Sequence, residues 1–167
     1  VAIEQTVVSW LAQAIGCPDF RGHLTGGGSS ANLMGLAMAR EAKAPANEKG
    51  IRPGMLVYAS HEVHMSIPKA VALLGIGREN VCQIPVDASF RMISSELEKR
   101  MRQDLAAGKT PLAVVASAGT VSTGSIDPLR EIAEIAHRNG AWFHVDGAYG
   151  ALAAIAERDQ FAGLELA

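Results

Sequence analysis

The chain has 167 residues, 49% of them hydrophobic and 19% charged, a balance typical of a globular domain with a substantial core. Its net charge of −2 argues against the basic surface that a nucleic-acid or membrane partner would require, and no segment has the pattern of a transmembrane helix or a signal peptide. The two cysteines, Cys17 and Cys82, lie far apart and lack metal-ligand spacing, so we expect buried thiols in a cytoplasmic protein.

Patterns typical of helices and strands alternate along the chain. Apolar residues at helical spacing predict a helix over residues 1–15, which Gly16 and Pro18 end. A short extended stretch at 23–25 and a glycine-rich turn lead into a second predicted helix over 30–42. The elements that follow are a strand over 55–59, a helix over 66–74, a strand over 81–85, a helix over 94–107, a strand over 112–116, a helix from 127–128 to 139–140 and a strand over 141–145. Strands that alternate with helices predict an α/β fold, a mostly parallel sheet with helices on both faces.

Two of the predicted helices begin with capping signals. Ser94 or Ser95 is the predicted N-cap of the helix over 94–107, because a serine side chain can accept a hydrogen bond from a free N–H of the first turn. Asp127 is the predicted N-cap of the next helix, with Pro128 at its first position.

The glycine-rich turn at 25–30, Thr-Gly-Gly-Gly-Ser-Ser, stands at the start of a predicted helix. Free N–H groups at a helix N-terminus attract anions, and glycine lets the backbone approach a phosphate closely. The turn lacks the Gly-Lys-Ser/Thr ending of a P-loop and the spacing of a dinucleotide fingerprint. The sequence therefore indicates a phosphate site here, with a flexible turn and a serine N-cap as the alternative.

Two further segments follow predicted strands. The first is 61–66, His-Glu-Val-His-Met-Ser, where His64 would reach the carboxyl end of a strand and could stack on a planar ring. Its alternatives are a surface turn and a metal site built from His61, Glu62 and His64, which is disfavoured because three ligands within four residues of an irregular loop rarely converge. The second is the loop 117–124, which supplies small hydroxyl side chains beside glycines or is a plain loop.

Asp146 ends an apolar run and is followed at once by small residues. In an open α/β sheet this places one carboxylate at the carboxyl end of a buried strand, where such folds bind ligands. The alternatives are a structural ion pair and a catalytic Asp–His pair for a serine nucleophile. His144, two residues earlier on the same strand face, could be a structural neighbour. One ligand with an anionic arm and a cationic aromatic ring would use the phosphate site, the imidazole, the hydroxyls and this carboxylate together.

These segments together resemble the group II pyridoxal-phosphate-dependent amino-acid decarboxylases, of the aromatic-amino-acid and glutamate decarboxylase type. The matching stretches are 26–32, 61–70, 118–128 and 144–150, so the resemblance covers nearly the whole chain. It implies the large domain of a fold-type I enzyme, with residues 1–167 as its central part. It also implies an N-terminal segment, a lysine segment that forms the Schiff base and a C-terminal small domain that lie outside these residues.

The resemblance implies pyridoxal 5'-phosphate as the cofactor and assigns roles to particular residues. Gly28 and Ser29, with Gly27 beside them, hold the phosphate, and Thr120 borders the ring. None of the lysines in the chain stands in the Asp-Pro-His-Lys-like motif of the family.

The resemblance also implies the catalytic residues, His64 and Asp146. His64 stacks on the pyridine ring and helps to return a proton after carbon dioxide leaves. Asp146 pairs with the ring nitrogen, and Ala148 packs against the ring face. No metal ligand is implied.

The implied function is a carboxy-lyase that removes the α-carboxylate of an L-amino acid, with an aromatic substrate favoured. The alternatives are another fold-type I activity (aldehyde synthase, aminotransferase or carbon–carbon lyase) and a non-catalytic cofactor-binding remnant. A homodimer is expected from the resemblance, with an amino acid as the small-molecule partner. Without the lysine, we expect these 167 residues alone to be inactive.

Overall fold

A four-stranded parallel sheet forms the centre of the computed structural model, which describes residues 2–167. The strands are β1 (Met55–Ser60), β2 (Val81–Ile84), β3 (Thr110–Ser117) and β4 (Trp142–Asp146), in the spatial order β2-β1-β3-β4. The helices are α1 (Ala2–Ala14), α2 (Gly28–Lys43), α3 (Ser66–Leu73), α4 (Ser94–Ala106) and α5 (Leu129–Arg138). Short 3-10 turns at Ala151–Ile155, Arg158–Phe161 and Leu164–Leu166 follow β4.

Each face of the sheet is covered by two helices. Successive residues of a strand point to opposite faces, so Val57 and Tyr58 on β1 belong to different core clusters. Val57 packs with residues of α2 and α3, including Leu36 and Ile67. Tyr58 packs with residues of α4 and α5 and is fully buried. The strands are therefore buried on both sides, which is why they appear in the sequence as short continuous apolar runs.

The connections after β1 and β3 leave the sheet on opposite faces. Helix α3 follows β1 and packs on one face, whereas α5 follows β3 and packs on the other. Because β1 and β3 are neighbours, their carboxyl ends border a crevice between the two diverging connections. Such a switch point is where open α/β sheets bind ligands.

The predicted fold class is confirmed: the sheet is parallel and carries helices on both faces. The predicted helices and strands are all present within residues 2–167, with boundaries within two residues of those expected. Val1 of the first predicted helix lies outside the described residues. Cys17 and Cys82 are both free and buried, as expected. Within residues 2–167 no helix is both long and apolar enough to cross a membrane.

Both predicted serine caps of α4 are wrong. Ser94 and Ser95 lie inside the helix, and the residue before it is Ile93, whose carbonyl oxygen accepts the N–H groups of Glu96 and Leu97. The backbone N–H of Ile93 still bonds to the carbonyl oxygen of Pro85 in the preceding loop, and the helix begins at the next residue. No side chain caps it.

The predicted cap of α5 is also wrong, because the Asp127 carboxylate accepts hydrogen bonds from residues outside that helix. Its two carboxylate oxygens accept the backbone N–H groups of Met92 at 2.6 Å and Ser117 at 2.7 Å. Pro128 precedes the helix, which begins at Leu129. Burial raises the pKa of Asp127, while the two N–H donors oppose that rise. The carboxylate thus joins the end of β3 to the loop before α4, because buried N–H groups need hydrogen-bond acceptors.

Candidate active site

A cleft of about 410 Å³ lies at the carboxyl ends of β1, β3 and β4. It is lined by residues of the loops that follow these three strands and by the first turn of α2. The predicted site residues that line it are Gly28, Ser29, His64, Thr120, Asp146 and Ala148. Gly27 precedes α2 and is not among the lining residues. The cleft coincides with the switch point of the sheet, so one concave surface gathers side chains that lie more than a hundred residues apart in the sequence.

The first turn of α2 presents free backbone N–H groups beside the cleft. The carbonyl oxygen of Gly27 accepts the N–H groups of Ser30 at 3.0 Å and Ala31 at 3.1 Å. Within residues 2–167 the N–H groups of Gly28 and Ser29 have no acceptor. The helix starts two residues earlier than the sequence predicted, so Gly28 and Ser29 are the first residues of the helix and Gly27 directly precedes it. The turn therefore combines free donors with the positive end of the helix dipole, which suits an anion.

A close contact between small residues sets the position of this turn. A Cβ atom added at Gly28 would lie 2.6 Å from the Cβ atom of Ala148, in the loop after β4. Any side chain at Gly28 would push α2 away from the loop, because carbon atoms do not approach so closely. The glycine therefore lets the start of α2 lie directly against the segment that follows Asp146.

Asp146, at the end of β4, is held by two hydrogen bonds, one to each carboxylate oxygen. Oδ1 accepts the backbone N–H of Ala148 at 3.2 Å, and Oδ2 accepts the side-chain amide of Asn32 at 2.9 Å. Asn32 is buried on the inner side of α2. Its amide oxygen lies 2.8 Å from Nε2 of His144, two residues before Asp146 on the same strand. The carboxylate thus lies on the cleft wall in a fixed orientation.

His64 lies across the cleft from β4, in the loop between β1 and α3. Its Nδ1 accepts the backbone N–H of Ser66 at 3.2 Å and lies 2.9 Å from the Ser66 hydroxyl. The same hydroxyl accepts the second N–H of the Asn32 amide at 2.9 Å. His64 and Asp146 are therefore connected through two buried polar side chains, Ser66 and Asn32.

The loop after β3 forms a closed turn around Thr120. The Thr120 hydroxyl lies 2.6 Å from the Thr123 hydroxyl, and the Thr120 N–H donates to the carbonyl oxygen of Ser125 at 3.0 Å. Gly119 has φ +92, and a Cβ atom there would lie 2.7 Å from Cα of Gly150. The loops after β3 and β4 therefore touch backbone to backbone, and Thr120 shapes the cleft wall between them.

The whole chain, residues 1–167, matches the family model described as "Pyridoxal-dependent decarboxylase conserved domain". The chain belongs to this family. The chain is 37% identical over 157 residues to the aromatic-L-amino-acid decarboxylase of Bacillus atrophaeus, a match that covers 93% of this chain and 32% of that protein. It is also 37% identical over 159 residues to the acidic amino acid decarboxylase of Bos taurus, covering 93% of this chain and 30% of that protein. The chain thus spans about a third of the length of these relatives.

Solved structures agree with the assignment to the pyridoxal-dependent decarboxylase family. The crystal structure of mouse CSAD superposes with a TM-score of 0.95 at 33% identity, covering 99% of this chain and 36% of that one. The structure of Oryza sativa TDC with PLP and tryptamine gives a TM-score of 0.90 at 31% identity, covering 98% of this chain and 36% of that one. The fold is therefore that of the fold-type I large domain.

The geometry bears on the alternatives that the sequence left open for this family member. His61 does not line the cleft that contains His64, and within residues 2–167 no three His, Cys, Asp or Glu side chains lie close enough together to hold a metal ion. No ion pair in the described part of the chain involves Asp146, which opposes the structural ion pair. His144 bonds to the Asn32 amide, and no serine hydroxyl is its partner among the described residues.

Sequence reasoning missed Asn32 and Ser66 as parts of the site. Asn32 stood only at the end of a matching stretch. Ser66 ended the segment 61–66 and began a predicted helix, but it was given no role in the site. One signal for Asn32 was available: the buried positions of α2 are Asn32, Gly35, Leu36 and Ala39, which have helical spacing. An amide on an otherwise small and apolar stripe must find buried partners, so Asn32 could have been linked to the strand beneath it.

Proposed function

We propose that the protein carrying this sequence is a pyridoxal-phosphate-dependent carboxy-lyase that removes the α-carboxylate of an L-amino acid. The observation that carries the proposal is Asp146, whose carboxylate lines the cleft with both oxygens hydrogen-bonded. Membership in the pyridoxal-dependent decarboxylase family favours this reaction over aldehyde synthesis, transamination and carbon–carbon cleavage. It also favours an enzyme over a non-catalytic remnant.

The cofactor of the family is pyridoxal phosphate, and the residues of the cleft fit it. A phosphate needs several donors in a small space, which the free N–H groups of Gly28 and Ser29 provide at the start of a helix of 16 residues. The close contact between Gly28 and Ala148 keeps side-chain atoms away from that space. A protonated pyridine ring needs a carboxylate beside its nitrogen, and Asp146 lines the same cleft.

When bound, pyridoxal phosphate accepts the electron pair that remains on the substrate as carbon dioxide leaves. The residues of this chain would hold it ready for that task. Gly28 and Ser29 in the first turn of α2, with Gly27 directly before them, would bind the phosphate. Asp146 keeps a proton on the ring nitrogen, since a neighbouring anion favours the protonated form.

The side walls of the cleft would position the ring and manage a proton. His64 would stack on the ring, and its exposed position at the cleft would allow it to supply a proton there. Ala148, which also lines the cleft, would pack against the ring face. Thr120, fixed by its own turn, borders the ring.

An aromatic L-amino acid is the favoured substrate within this proposal. Its support is the similarity to the Bacillus atrophaeus enzyme, which covers 93% of this chain. The Bos taurus relative, of equal identity, is named for acidic amino acids, so a substrate panel must include both classes.

We also propose that the lysine that anchors the cofactor lies outside these 167 residues, which form the central part of the large domain. Among the described residues that line the cleft, none is a lysine. Residues 1–167 alone would then bind the cofactor without a covalent bond and would not turn over substrate. An absorbance band of a covalent lysine adduct that survives gel filtration of the isolated residues 1–167 would contradict this.

A homodimer in the cytoplasm completes the proposal. Large apolar side chains remain exposed on α1 and α3, among them Ile3, Trp10 and Leu73 at 82%, 66% and 76% exposure. Exposed apolar side chains that form a patch mark a protein–protein interface, and we propose that the second subunit covers these. Both cysteines are free, which suits a reducing compartment.

The proposal is tested by carbon dioxide release from a panel of aromatic and acidic L-amino acids, with the full-length protein and added pyridoxal phosphate. We expect release from aromatic substrates. Asp146→Ala should abolish release while some phosphate-anchored cofactor binding remains. Glu131→Gln, which changes an exposed carboxylate on α5, is the matched control and should behave as wild type. Unchanged turnover in Asp146→Ala would refute the role given to this carboxylate.

A further inference from the structure

We infer that Asn32 is a positioning residue that orients Asp146 and sets the proton-bearing nitrogen of His144. The inference rests on the proposed function, because its effect on a ligand is measured with pyridoxal phosphate. Asn32 is 4% exposed, and its side-chain amide has three hydrogen-bond partners, one on α3 and two on β4. No other side chain in the described part of the chain bonds directly to Asp146.

The orientation of the amide follows from the chemistry of its partners. A carboxylate accepts hydrogen bonds and donates none, so the amide nitrogen of Asn32 must face Oδ2 of Asp146 at 2.9 Å. Its second N–H then donates to the Ser66 hydroxyl, also at 2.9 Å. Both donors are used, and the amide oxygen is left to face His144. Each polar atom of this buried side chain therefore has a partner, which makes the network rigid.

The amide oxygen in turn determines the tautomer of His144. It lies 2.8 Å from Nε2, and because an amide oxygen only accepts, Nε2 must carry a proton. Burial lowers the pKa of His144, so the ring is neutral near pH 7 with its proton on Nε2. Gly35 leaves room for the ring, because a Cβ atom there would lie 2.6 Å from Cε1 of His144.

On the other side of Asn32, Ser66 determines which nitrogen of His64 carries the ring proton. The Ser66 backbone N–H donates to Nδ1 of His64 at 3.2 Å, so Nδ1 carries no proton. The Ser66 hydroxyl accepts from Asn32 and is free to donate its own proton to the same Nδ1 at 2.9 Å. The ring proton of neutral His64 is then on Nε2, and that N–H is the one available in the cleft.

Asp146 depends on this amide for its orientation. Its other donor, the Ala148 N–H at 3.2 Å, belongs to the loop that follows the same carboxylate and moves with it. Asn32 is fixed independently by the helix that also presents the phosphate-binding turn. The amide thereby keeps the carboxylate at a constant distance from the start of α2, so that one rigid ligand can reach both.

The test compares Asn32→Ala, Asn32→Asp and Ser66→Ala in the full-length protein, with Met38→Ala on the exposed face of α2 as control. Removing a hydrogen bond to a charged group should weaken pyridoxal phosphate binding by roughly 10- to 100-fold in Asn32→Ala. Asn32→Asp keeps the shape but has no N–H to donate, so it should weaken binding at least as much. Ser66→Ala keeps the bond from Asn32 to Asp146 and should retain affinity while kcat falls. A residue with a merely space-filling role would leave the proton of His144 on Nε2 in Asn32→Ala.

Nitrogen-15 spectra of the histidines in the cofactor-free protein provide a readout that needs no activity. In the wild-type protein, the spectra should show that His144 carries its proton on Nε2 and that this N–H donates a hydrogen bond. Asn32→Asp should keep that signal, since a carboxylate oxygen also accepts, whereas Asn32→Ala should lose it. The inference is overturned if Asn32→Ala and Asn32→Asp bind pyridoxal phosphate within twofold of wild type, or if His144 carries its proton on Nδ1 in wild type. A wild-type protein that shows the expected histidine signals but neither binds the cofactor nor releases carbon dioxide would overturn the proposed function alone. If Asn32→Ala does not fold, Asn32→Asp and Ser66→Ala still decide the matter.

Discussion

Gly35 on α2 offers a sharp test of how the helix packs on the site. A Cβ atom at this position would lie 2.6 Å from Cε1 and 2.8 Å from Nδ1 of the His144 ring. Both residues are held on regular elements, α2 and β4, so neither backbone can move away easily. In Gly35→Ala the ring must therefore shift and lose its hydrogen bond to Asn32.

Three contributions set the size of the effect. Overpacking of this kind costs about 1–3 kcal/mol. Loss of the hydrogen bond between His144 and Asn32 adds about 1 kcal/mol. Alanine is better than glycine inside a helix by about 1 kcal/mol, which offsets the second contribution. We expect Gly35→Ala to destabilise α2 and β4 by about 1–3 kcal/mol in total.

Hydrogen exchange of the backbone amides in α2 and β4, measured in the cofactor-free protein, would report this loss locally. Exchange that proceeds through opening of these elements should become roughly 5- to 150-fold faster. The matched background is His144→Ala, which removes the ring. There the added methyl group meets no clash, so Gly35→Ala should slow exchange by roughly fivefold, in line with helix propensity.

The reversal of sign between the two backgrounds is the decisive result. If Gly35→Ala accelerates exchange equally with and without the His144 ring, the clash is not the cause. If it slows exchange in the wild-type background, α2 does not pack on His144 as the structure has it.

Two further outcomes follow from buried ionisable groups. Asp127→Asn should destabilise the protein by about 1–3 kcal/mol, because an amide has only one accepting oxygen for the two buried N–H groups. Denaturant titration would measure this loss against the exposed control Glu131→Gln. Equal free energies of unfolding in the two variants would contradict the prediction. His144 should make the free energy of unfolding fall in mild acid. Because its pKa is lowered in the folded protein, the unfolded chain binds a proton at a pH where the folded protein does not. The stabilisation is complete above the unfolded pKa of about 6.5 and is lost as the pH falls from there towards the lowered folded pKa, at most about 1.4 kcal/mol per pH unit. Denaturant titrations at pH 7.5 and 5.5 should show a smaller loss in His144→Ala, and an identical loss would contradict the assignment.

The order and type of the elements were predictable because both depend on local patterns. The apolar runs at 55–59 and 112–116 are strands whose two faces are buried, and helical spacing marks the segments between them. Helix starts were less predictable. Asp127 has the residue type of an N-cap, but its carboxylate is drawn to two buried N–H groups that come from Met92 and Ser117, far from it in the sequence. Local propensity gave way to a tertiary requirement.

The site was predictable as a set of residue types at strand ends, because parallel strands bring their carboxyl ends to one edge. Six of the seven predicted cofactor-binding residues therefore line one cleft. The exception is Gly27, which directly precedes the first turn of α2.

The amino-acid sequence alone was enough for the α/β class, the glycine-rich turn at the start of α2 and the carboxylate at Asp146, since each depends on short-range patterns or on the general geometry of parallel sheets. The connection between Asp146 and His64 was not accessible in this way. It depends on Asn32, 114 residues before Asp146, on Ser66, and on the absence of a side chain at Gly35 that allows α2 to lie on β4. A hydrogen bond requires two atoms to lie about 3 Å apart in space, however far apart their residues are in the sequence. Only the folded arrangement of α2, α3 and β4 could therefore reveal which polar groups are bonded.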